Sequence, residues 1–223
     1  MLPSSTVENY LKAIYQGQSA LAAGERLVAI GQVAISLGVT PGTATTMVKA
    51  LAESGLADYE PYNGVRLSPA GERLAGLVLR RHRLVELFLV RVMGMSWADV
   101  HDEAEQLEHV VSERLIERID TMLGHPTHDP HGDPIPNADG TVAQPQLEDL
   151  LTCPVGAPLR VIRILDQDPA FLRFVERHGL VPGEAVQVDG RDDAADAVRL
   201  RAGDHREITI GARAASKLLV APA

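Results

Sequence analysis

The sequence predicts a mainly α-helical protein that ends in a small β domain. Three observations lead to this fold class. Residues 1–68 combine helical periodicity with a β-hairpin signal, and residues 69–120 form long stretches of helical periodicity. Residues 159–220 contain short β-prone runs separated by turns. We therefore expect domains at 1–70, 71–140 and 151–223, with a linker at 141–150.

Size and composition restrict the class of protein. The chain has 223 residues, of which 45% are hydrophobic and 23% charged, as in soluble globular proteins. It has no membrane-length apolar run, and its N-terminal pattern leads us to expect no secretion signal. Its single cysteine, Cys153, favours a reducing cytoplasm. The net charge of −9 argues against a general polyanion binder. Residues 1–67, with four Lys/Arg and five Asp/Glu, are the least acidic third.

The N-terminal region reads as three helices followed by a hairpin. Residues 5–8 match a capping box that opens the first helix, and residues 29–37 form a short second helix. Thr40 caps the third helix, with Pro41 in its first turn. An Asn-Gly pair at 63–64 then joins two β-prone runs, a strong hairpin signal. This order predicts a winged helix-turn-helix.

The third helix presents small and hydroxylic residues that allow close approach to base edges and phosphates. These residues are Thr40, Gly42, Thr43, Thr45 and Thr46. Lys49 reaches a phosphate, and the hairpin offers Tyr59, Tyr62 and Arg66 to the DNA backbone. The alternative is a helical hairpin with exposed threonines. Threonine is a poor helix former, so this cluster favours DNA binding.

The stretch 97–120 lacks Pro and Gly, and its apolar spacing predicts one long helix. His101, Glu105, Glu108 and His109 fall within roughly one 100° arc, beside an apolar face. Carboxylates at such an edge repel one another, and a divalent cation relieves that conflict. The alternative is a solvated acidic face with His109 as an ordinary core histidine.

A second pair strengthens the metal hypothesis. His82 and Glu86 lie at i and i+4 on the preceding helix, which begins at residues 68–69 and ends near Gly94. Two such pairs on consecutive helices are difficult to assign to a solvated face. Both helices are more hydrophobic than one small domain requires, so we also expect a homodimer interface.

Three histidines at 125, 128 and 131 suggest another metal cluster, which we do not favour. Four prolines between residues 126 and 136 predict an extended loop that spreads these histidines apart in solvent. Beyond residue 147, β-prone runs at 159–164, 185–188, 198–201, 207–210 and 218–220 surround one short helix at 169–177. Five short strands in this length predict a small closed or half-closed barrel.

On these residues the chain resembles the diphtheria toxin repressor family of metal-dependent transcriptional regulators, most closely its manganese-responsive three-domain members. The resemblance rests on residues 7–15, the winged helix, and residues 81–86, 100–109 and 129–136. It implies a DNA-binding module, a helical dimerisation and metal domain, and an SH3-like barrel. It also implies a homodimer that represses transcription by binding double-stranded DNA at a pseudo-palindromic operator.

The resemblance further implies two metal sites. The primary site would take Glu105, Glu108 and His109, with Asn9 from the first helix. The ancillary site would take His82, Glu86, His101 and, from the barrel, Asp168. Asn9 stands where manganese members carry a carboxylate and iron members a thioether. Lys12 likewise replaces a carboxylate of two-domain manganese members.

Ligand chemistry then ranks the metals. Glu105 stands where iron-responsive members carry cysteine. Because oxygen-rich ligation with one imidazole suits Mn²⁺, we expect Mn²⁺ as the metal, with Fe²⁺ as the alternative. A winged-helix regulator that responds to an organic ligand is a further alternative. A di-iron enzyme is not expected, because such bundles use Glu-x-x-His. The residues three before His101 and His109 are Ala98 and Gln106, so the motif is absent.

Overall fold

The computed structural model describes residues 4–22, 24–142, 146–203 and 206–223. The chain divides into two units, Met1–His82 with Pro136–Val142, and Arg83–Ile135 with Ala143–Ala223. No helix in the described ranges is both long and apolar enough to cross a membrane.

The first unit is the predicted winged helix-turn-helix. Its elements are α1 (Ser5–Ser19), α2 (Ile30–Ser36), α3 (Pro41–Glu53), β1 (Ala57–Glu60), β2 (Gly64–Leu67) and the start of α4 (Pro69–Arg91). Leu11, Ile14, Val48 and Val65 lie in its buried core. The first cap lies one residue earlier than predicted, because the Ser4 hydroxyl accepts the bond from the Val7 N–H.

The wing is antiparallel and pairs with the segment before α2. β1 and β2 pair from Ala57–Leu67 to Glu60–Gly64. Val28 exchanges both backbone hydrogen bonds with Val65, at 2.8 and 2.9 Å. A Cβ on Gly64, whose φ is +144°, would lie 2.4 Å from the Val28 carbonyl oxygen, so only glycine fits this contact.

The segment Pro136–Val142 packs on α4 within the first unit. Arg80 Nη1 donates to the Pro136 carbonyl at 2.9 Å. A Cβ on Gly76 would lie only 1.9 Å from the Gly140 carbonyl oxygen, so the two backbones meet where neither residue has a side chain. This part of the chain is therefore a packed strap on the DNA-binding unit.

The single helix expected over 97–120 is wrong. The structure has α5 (Val100–Leu107) and α6 (Glu113–Met122), separated by a turn. Ser112 is extended (φ −73°, ψ 151°), and its hydroxyl caps α6 by accepting from the Leu115 N–H. This local cap signal outweighs the uninterrupted periodicity. Glu108 and His109 consequently lie where α5 ends.

The C-terminal part of the second unit is the predicted small barrel. Its elements are β3 (Glu148–Asp149), β4 (Leu159–Ile164), α7 (Pro169–Arg177), β5 (Ala185–Asp192), β6 (Ala197–Ala202), β7 (Arg206–Gly211), α8 (Ala212–Ala215) and β8 (Leu218–Pro222). The strands follow the order β3-β8-β4-β5-β6-β7, and each neighbouring pair is antiparallel. Val161, Leu172, Leu200 and Leu218 belong to its core.

Candidate metal centre and nucleic-acid interface

Carboxylate and imidazole groups meet between α4 and α5 in the second unit. Glu86 is fully buried on α4, and its Oε1 lies 3.3 Å from His101 Nδ1. His101 Nε2 lies 3.6 Å from Glu105 Oε1, one turn further along α5. Three predicted ligands are thus brought side by side. His82, also buried, lies one turn before Glu86 on α4.

The end of α5 carries the remaining predicted pair of this unit. Glu108 is the C-cap residue and is fully buried, and its Oε1 lies 3.4 Å from His109 Nε2. Burial penalises a carboxylate, and the negative end of a helix dipole penalises it again. A bound cation would offset both costs. The geometry therefore suits metal ligation better than an ordinary solvated face.

A further buried group was missed from the sequence. Glu86, Asp129 and His131 each offer a ligand atom, and these atoms lie within 4.8 Å of one another. His131 Nδ1 lies 3.8 Å from Glu86 Oε2 and 3.9 Å from Asp129 Oδ1. The expectation of a solvated histidine at 131 is wrong, whereas His125 and His128 are exposed as expected.

His131 turns inward because its loop folds back instead of staying extended. The Ile135 N–H donates to the Thr127 carbonyl at 2.8 Å. Asp129 Oδ1 accepts the N–H groups of His131 and Asp133, at 2.8 and 2.9 Å. Asp and Gly at the first and fourth positions, 129 and 132, are typical of a type I turn. That pattern was the available signal, and the proline count obscured it.

His131 is held in one tautomer. Its Nε2 lies 2.8 Å from the Trp97 carbonyl oxygen, which only accepts hydrogen bonds, so Nε2 carries the proton. The two rings stack with centroids 5.6 Å apart. The Nδ1 lone pair is left facing Glu86 and Asp129. Among the described residues, neither His131 Nδ1 nor Asp129 Oδ2 has a hydrogen-bond partner.

These donors fit a hard or borderline divalent cation. Buried polar atoms without hydrogen-bond partners are rare, and a bound ion is one explanation for them. Two carboxylates and one neutral imidazole form an oxygen-rich set. Burial, followed by the charges of Asp133 and Glu86, raises the pKa of Asp129 well above its usual range, against the opposing charge of Arg83. A bound cation would favour the ionised carboxylate.

Two further predicted ligands belong to other elements, α1 and the start of α7. Asn9 is half-buried on α1, in the first unit, and its Oδ1 has no hydrogen-bond partner in the part of the chain described. Asp168 is exposed and caps α7, where its Oδ1 accepts from the Ala170 and Phe171 N–H groups, both at 3.0 Å. The structure thus gives Asp168 a capping role, and metal binding by it stays a prediction.

The predicted DNA-binding residues form an exposed surface on the first unit. Thr45 and Thr46 donate their hydroxyl protons to Pro41 and Gly42 carbonyls, at 2.7 and 3.0 Å. The hydroxyls of Thr40 and Thr43 lie 2.9 Å apart. Each hydroxyl that donates within the helix keeps an oxygen able to accept from a base or a backbone group.

The outer part of this surface is basic and aromatic. Lys49 is exposed on α3, and Tyr62 is fully exposed at the tip of the wing. Arg66 on β2 is paired with Asp58 at 3.0 Å, and both side chains are more than half exposed. An exposed pair of this kind is weak, so Arg66 is available to exchange Asp58 for a phosphate.

Three family models match successive parts of the chain. "Iron dependent repressor, N-terminal DNA binding domain" covers residues 3–65, and "Iron dependent repressor, metal binding and dimerisation domain" covers 68–137. "FeoA domain" covers 149–222. These three ranges correspond to the winged helix, the helical region that carries most of the predicted metal ligands, and the barrel.

Similar proteins agree with these matches. The iron-dependent repressor IdeR of Mycobacterium tuberculosis is 32% identical over 200 residues, covering 82% of this chain and 84% of the relative. The regulator MntR of Lysinibacillus sphaericus is 33% identical over 122 residues, covering 55% of this chain and 84% of the relative. A solved "Manganese-dependent transcriptional repressor complex with manganese" is 39% identical, with a TM-score of 0.89, over 97% of this chain and 100% of that one.

Proposed function

The chain belongs to the iron-dependent, or diphtheria toxin, repressor family, and we propose that it is a manganese-responsive repressor of metal-homeostasis genes. It is a metal-dependent, DNA-binding transcriptional regulator with the family's three-part organisation. The observation that carries the choice of manganese is the donor set, in which carboxylates predominate. The buried group of Glu86, Asp129 and His131 is its clearest example.

The absence of a thiol supports manganese over softer metals. Cys153 is the only cysteine of the sequence and belongs to the buried barrel core. Burial raises the pKa of its thiol, an effect that the nearby Arg191 opposes. Sulfur ligation favours later or softer metals, whereas carboxylate and imidazole suit Mn²⁺. Fe²⁺ is the second candidate, because curated relatives such as IdeR are named as iron-dependent.

We assign the predicted ligands to roles as follows. Glu105, Glu108 and His109, with Asn9 from α1, would form the primary site. His82, Glu86 and His101 would form the ancillary site, for which Asp168 remains a weaker candidate. Asp129 and His131 would share Glu86 in a third arrangement of donors. When bound, Mn²⁺ supplies the positive charge that lets these buried carboxylates stay ionised close together.

The protein's own residues would convert metal binding into DNA binding. In the absence of metal, repulsion among Glu86, Glu105 and Glu108 opposes their close approach. When metal fills the primary site, its ligand on α1, Asn9, would hold the DNA-binding unit in a fixed position. A coupling of about 1–3 kcal/mol is sufficient to change operator affinity about 5- to 150-fold.

A homodimer would present two copies of α3 to the halves of a pseudo-palindromic site. Half-sites would lie about 34 Å apart, or at a multiple of that spacing. Several large apolar side chains on the helical part of the second unit are exposed in the single chain. They are Met93, Val110, Leu115 and Met122. We propose that they lie at the dimer interface.

One titration tests this function. Purified protein is titrated anaerobically with Mn²⁺, Fe²⁺, Co²⁺ and Zn²⁺ while binding to promoter DNA is followed. We expect Mn²⁺ to activate sequence-specific binding and a chelator to reverse it. Binding unaffected by every metal and by the chelator would favour a regulator with an organic ligand. Activation by Fe²⁺ at lower concentrations than Mn²⁺ would favour the iron-responsive alternative.

A further inference from the structure

We propose that Asp133 is a positioning residue, through which the barrel holds the metal ligands Asp129 and His131 in place. The inference rests on the proposed function and concerns how one group of its donors is organised. The barrel would thus act on the metal centre without supplying a ligand. This differs from the role expected for Asp168, whose carboxylate caps α7.

Two barrel side chains bind Asp133, which is only 5% exposed. Gln167, just after β4, donates from Nε2 to Asp133 Oδ2 at 2.9 Å. Arg163, within β4, pairs through Nη2 with Asp133 Oδ1. Each carboxylate oxygen therefore faces a barrel side chain, Oδ2 through a hydrogen bond and Oδ1 through an ion pair. A carboxylate held in this way has a fixed orientation.

Asp133 is connected to the proposed ligands Asp129 and His131 by the hydrogen bonds of one turn. The Asp129 N–H donates to the Asp133 carbonyl at 2.9 Å, and the Asp133 N–H donates to Asp129 Oδ1 at 2.9 Å. His131 lies inside this ring and donates its own N–H to the same Oδ1. A displacement of Asp133 therefore moves both ligands.

The barrel backbone supports the same turn. The Ile164 N–H donates to the His131 carbonyl at 2.9 Å. Gly132 (φ +85°) lies so close to β4 that a Cβ would be 1.9 Å from the Ile162 carbonyl oxygen. Side-chain and backbone contacts to β4 thus fix the turn at its middle, His131 and Gly132, and at its C-terminal end, Asp133.

Arg83 completes the arrangement from α4. Its Nη2 lies 3.5 Å from Asp133 Oδ1, and its Nε lies 3.8 Å from Asp129 Oδ2. Arg83 and Arg163 together compensate the charge of Asp133. Asp133 is thereby kept as an anchor for the guanidinium groups, whereas Asp129 is the carboxylate that has a ligand atom within 4.8 Å of those of Glu86 and His131.

The test compares Arg163→Ala, Arg163→Lys and a matched control, Arg160→Ala, in the full-length protein. Arg160 is exposed on the same strand and donates to the Gly183 carbonyl, outside this network. Mn²⁺ binding is followed by the emission of Trp97, the single tryptophan, whose ring stacks on His131. Electron paramagnetic resonance of free Mn²⁺ gives the number of ions bound.

We expect Arg163→Ala to weaken the Trp97-detected Mn²⁺ binding about 10-fold, the scale seen when outer partners of metal ligands are removed. Arg163→Lys should restore most of the affinity because it keeps the charge, and Arg160→Ala should bind as the wild type does. Circular dichroism at the assay temperature establishes that each variant is folded.

The opposing outcomes are distinct. If folded Arg163→Ala has the Mn²⁺ midpoint of the wild type, the positioning role is overturned. The proposed function is not affected by that result, provided that the wild type binds Mn²⁺. Loss of an ion with Asp133→Asn but no effect of Arg163→Ala makes Asp133 a ligand and also overturns it. A wild-type protein that binds no Mn²⁺ in solution refutes the proposed function itself.

Discussion

Glu8 and Arg81 form a buried ion pair, with 2.5 Å between Glu8 Oε1 and Arg81 Nη2. Their side chains are 4% and 2% exposed, and the pair joins α1 to α4 inside the first unit. Glu8 immediately precedes Asn9, so the pair fixes the part of α1 that carries a predicted metal ligand. Removing one member of a buried pair leaves an uncompensated charge.

Arg81→Met should therefore destabilise the metal-free protein by about 3–5 kcal/mol, because the buried Glu8 carboxylate would lose the charge of Arg81. Adding Glu8→Gln to Arg81→Met should recover part of this loss, since the buried charge is then absent. Urea unfolding of the single and double variants measures both effects. Single and double variants of equal stability would contradict this account.

His131→Ala should remove Mn²⁺ binding at the group formed with Glu86 and Asp129, while the protein stays folded. His128→Ala is the matched control, since His128 is in the same loop but exposed. Equilibrium dialysis with metal analysis gives the number of ions per chain. Equal stoichiometry and affinity in both variants would exclude His131 as a ligand.

Two helices could be predicted from local sequence signals alone. The third helix was predicted from its cap at Thr40, and the barrel helix Pro169–Arg177 has its predicted bounds, because both ends carry strong local signals. The break before Ser112 was missed, because a single cap signal competed with long periodicity. Inward rotation of His131 depends on contacts to Trp97 and β4, which sequence spacing does not encode.

Lys49→Ala should weaken binding to all DNA sequences and lower the salt dependence by about one phosphate contact. Thr46→Ala should instead relax base preference. The hydroxyl of Thr46 is exposed on the same side of α3 as Lys49 but carries no charge. Binding is measured on operator and scrambled DNA over a range of salt concentrations. A sequence-specific loss with Lys49→Ala would reverse these assignments.

Glu108→Ala should abolish the response of DNA binding to Mn²⁺ without unfolding the protein. Glu108 is fully buried at the end of α5, where burial and the helix terminus both disfavour a carboxylate and a bound cation would offset these costs. Glu113→Ala, at the exposed start of α6, is the control. If Glu108→Ala bound the operator with an unchanged Mn²⁺ midpoint, the pair of Glu108 and His109 would not belong to the sensor.

Asn9→Asp should tighten Mn²⁺ binding, because a charged oxygen would replace the neutral amide oxygen at the same position. The buried Oδ1 of Asn9 has no hydrogen-bond partner among the residues described, so a metal is a suitable partner for it. Asn9→Ala removes the oxygen altogether and should shift the Mn²⁺ midpoint in the opposite direction. Operator binding measured against free Mn²⁺ orders the three proteins. If Asn9→Asp and Asn9→Ala shared the wild-type midpoint, residue 9 would not be a ligand, and α1 would be coupled to the metal by other residues.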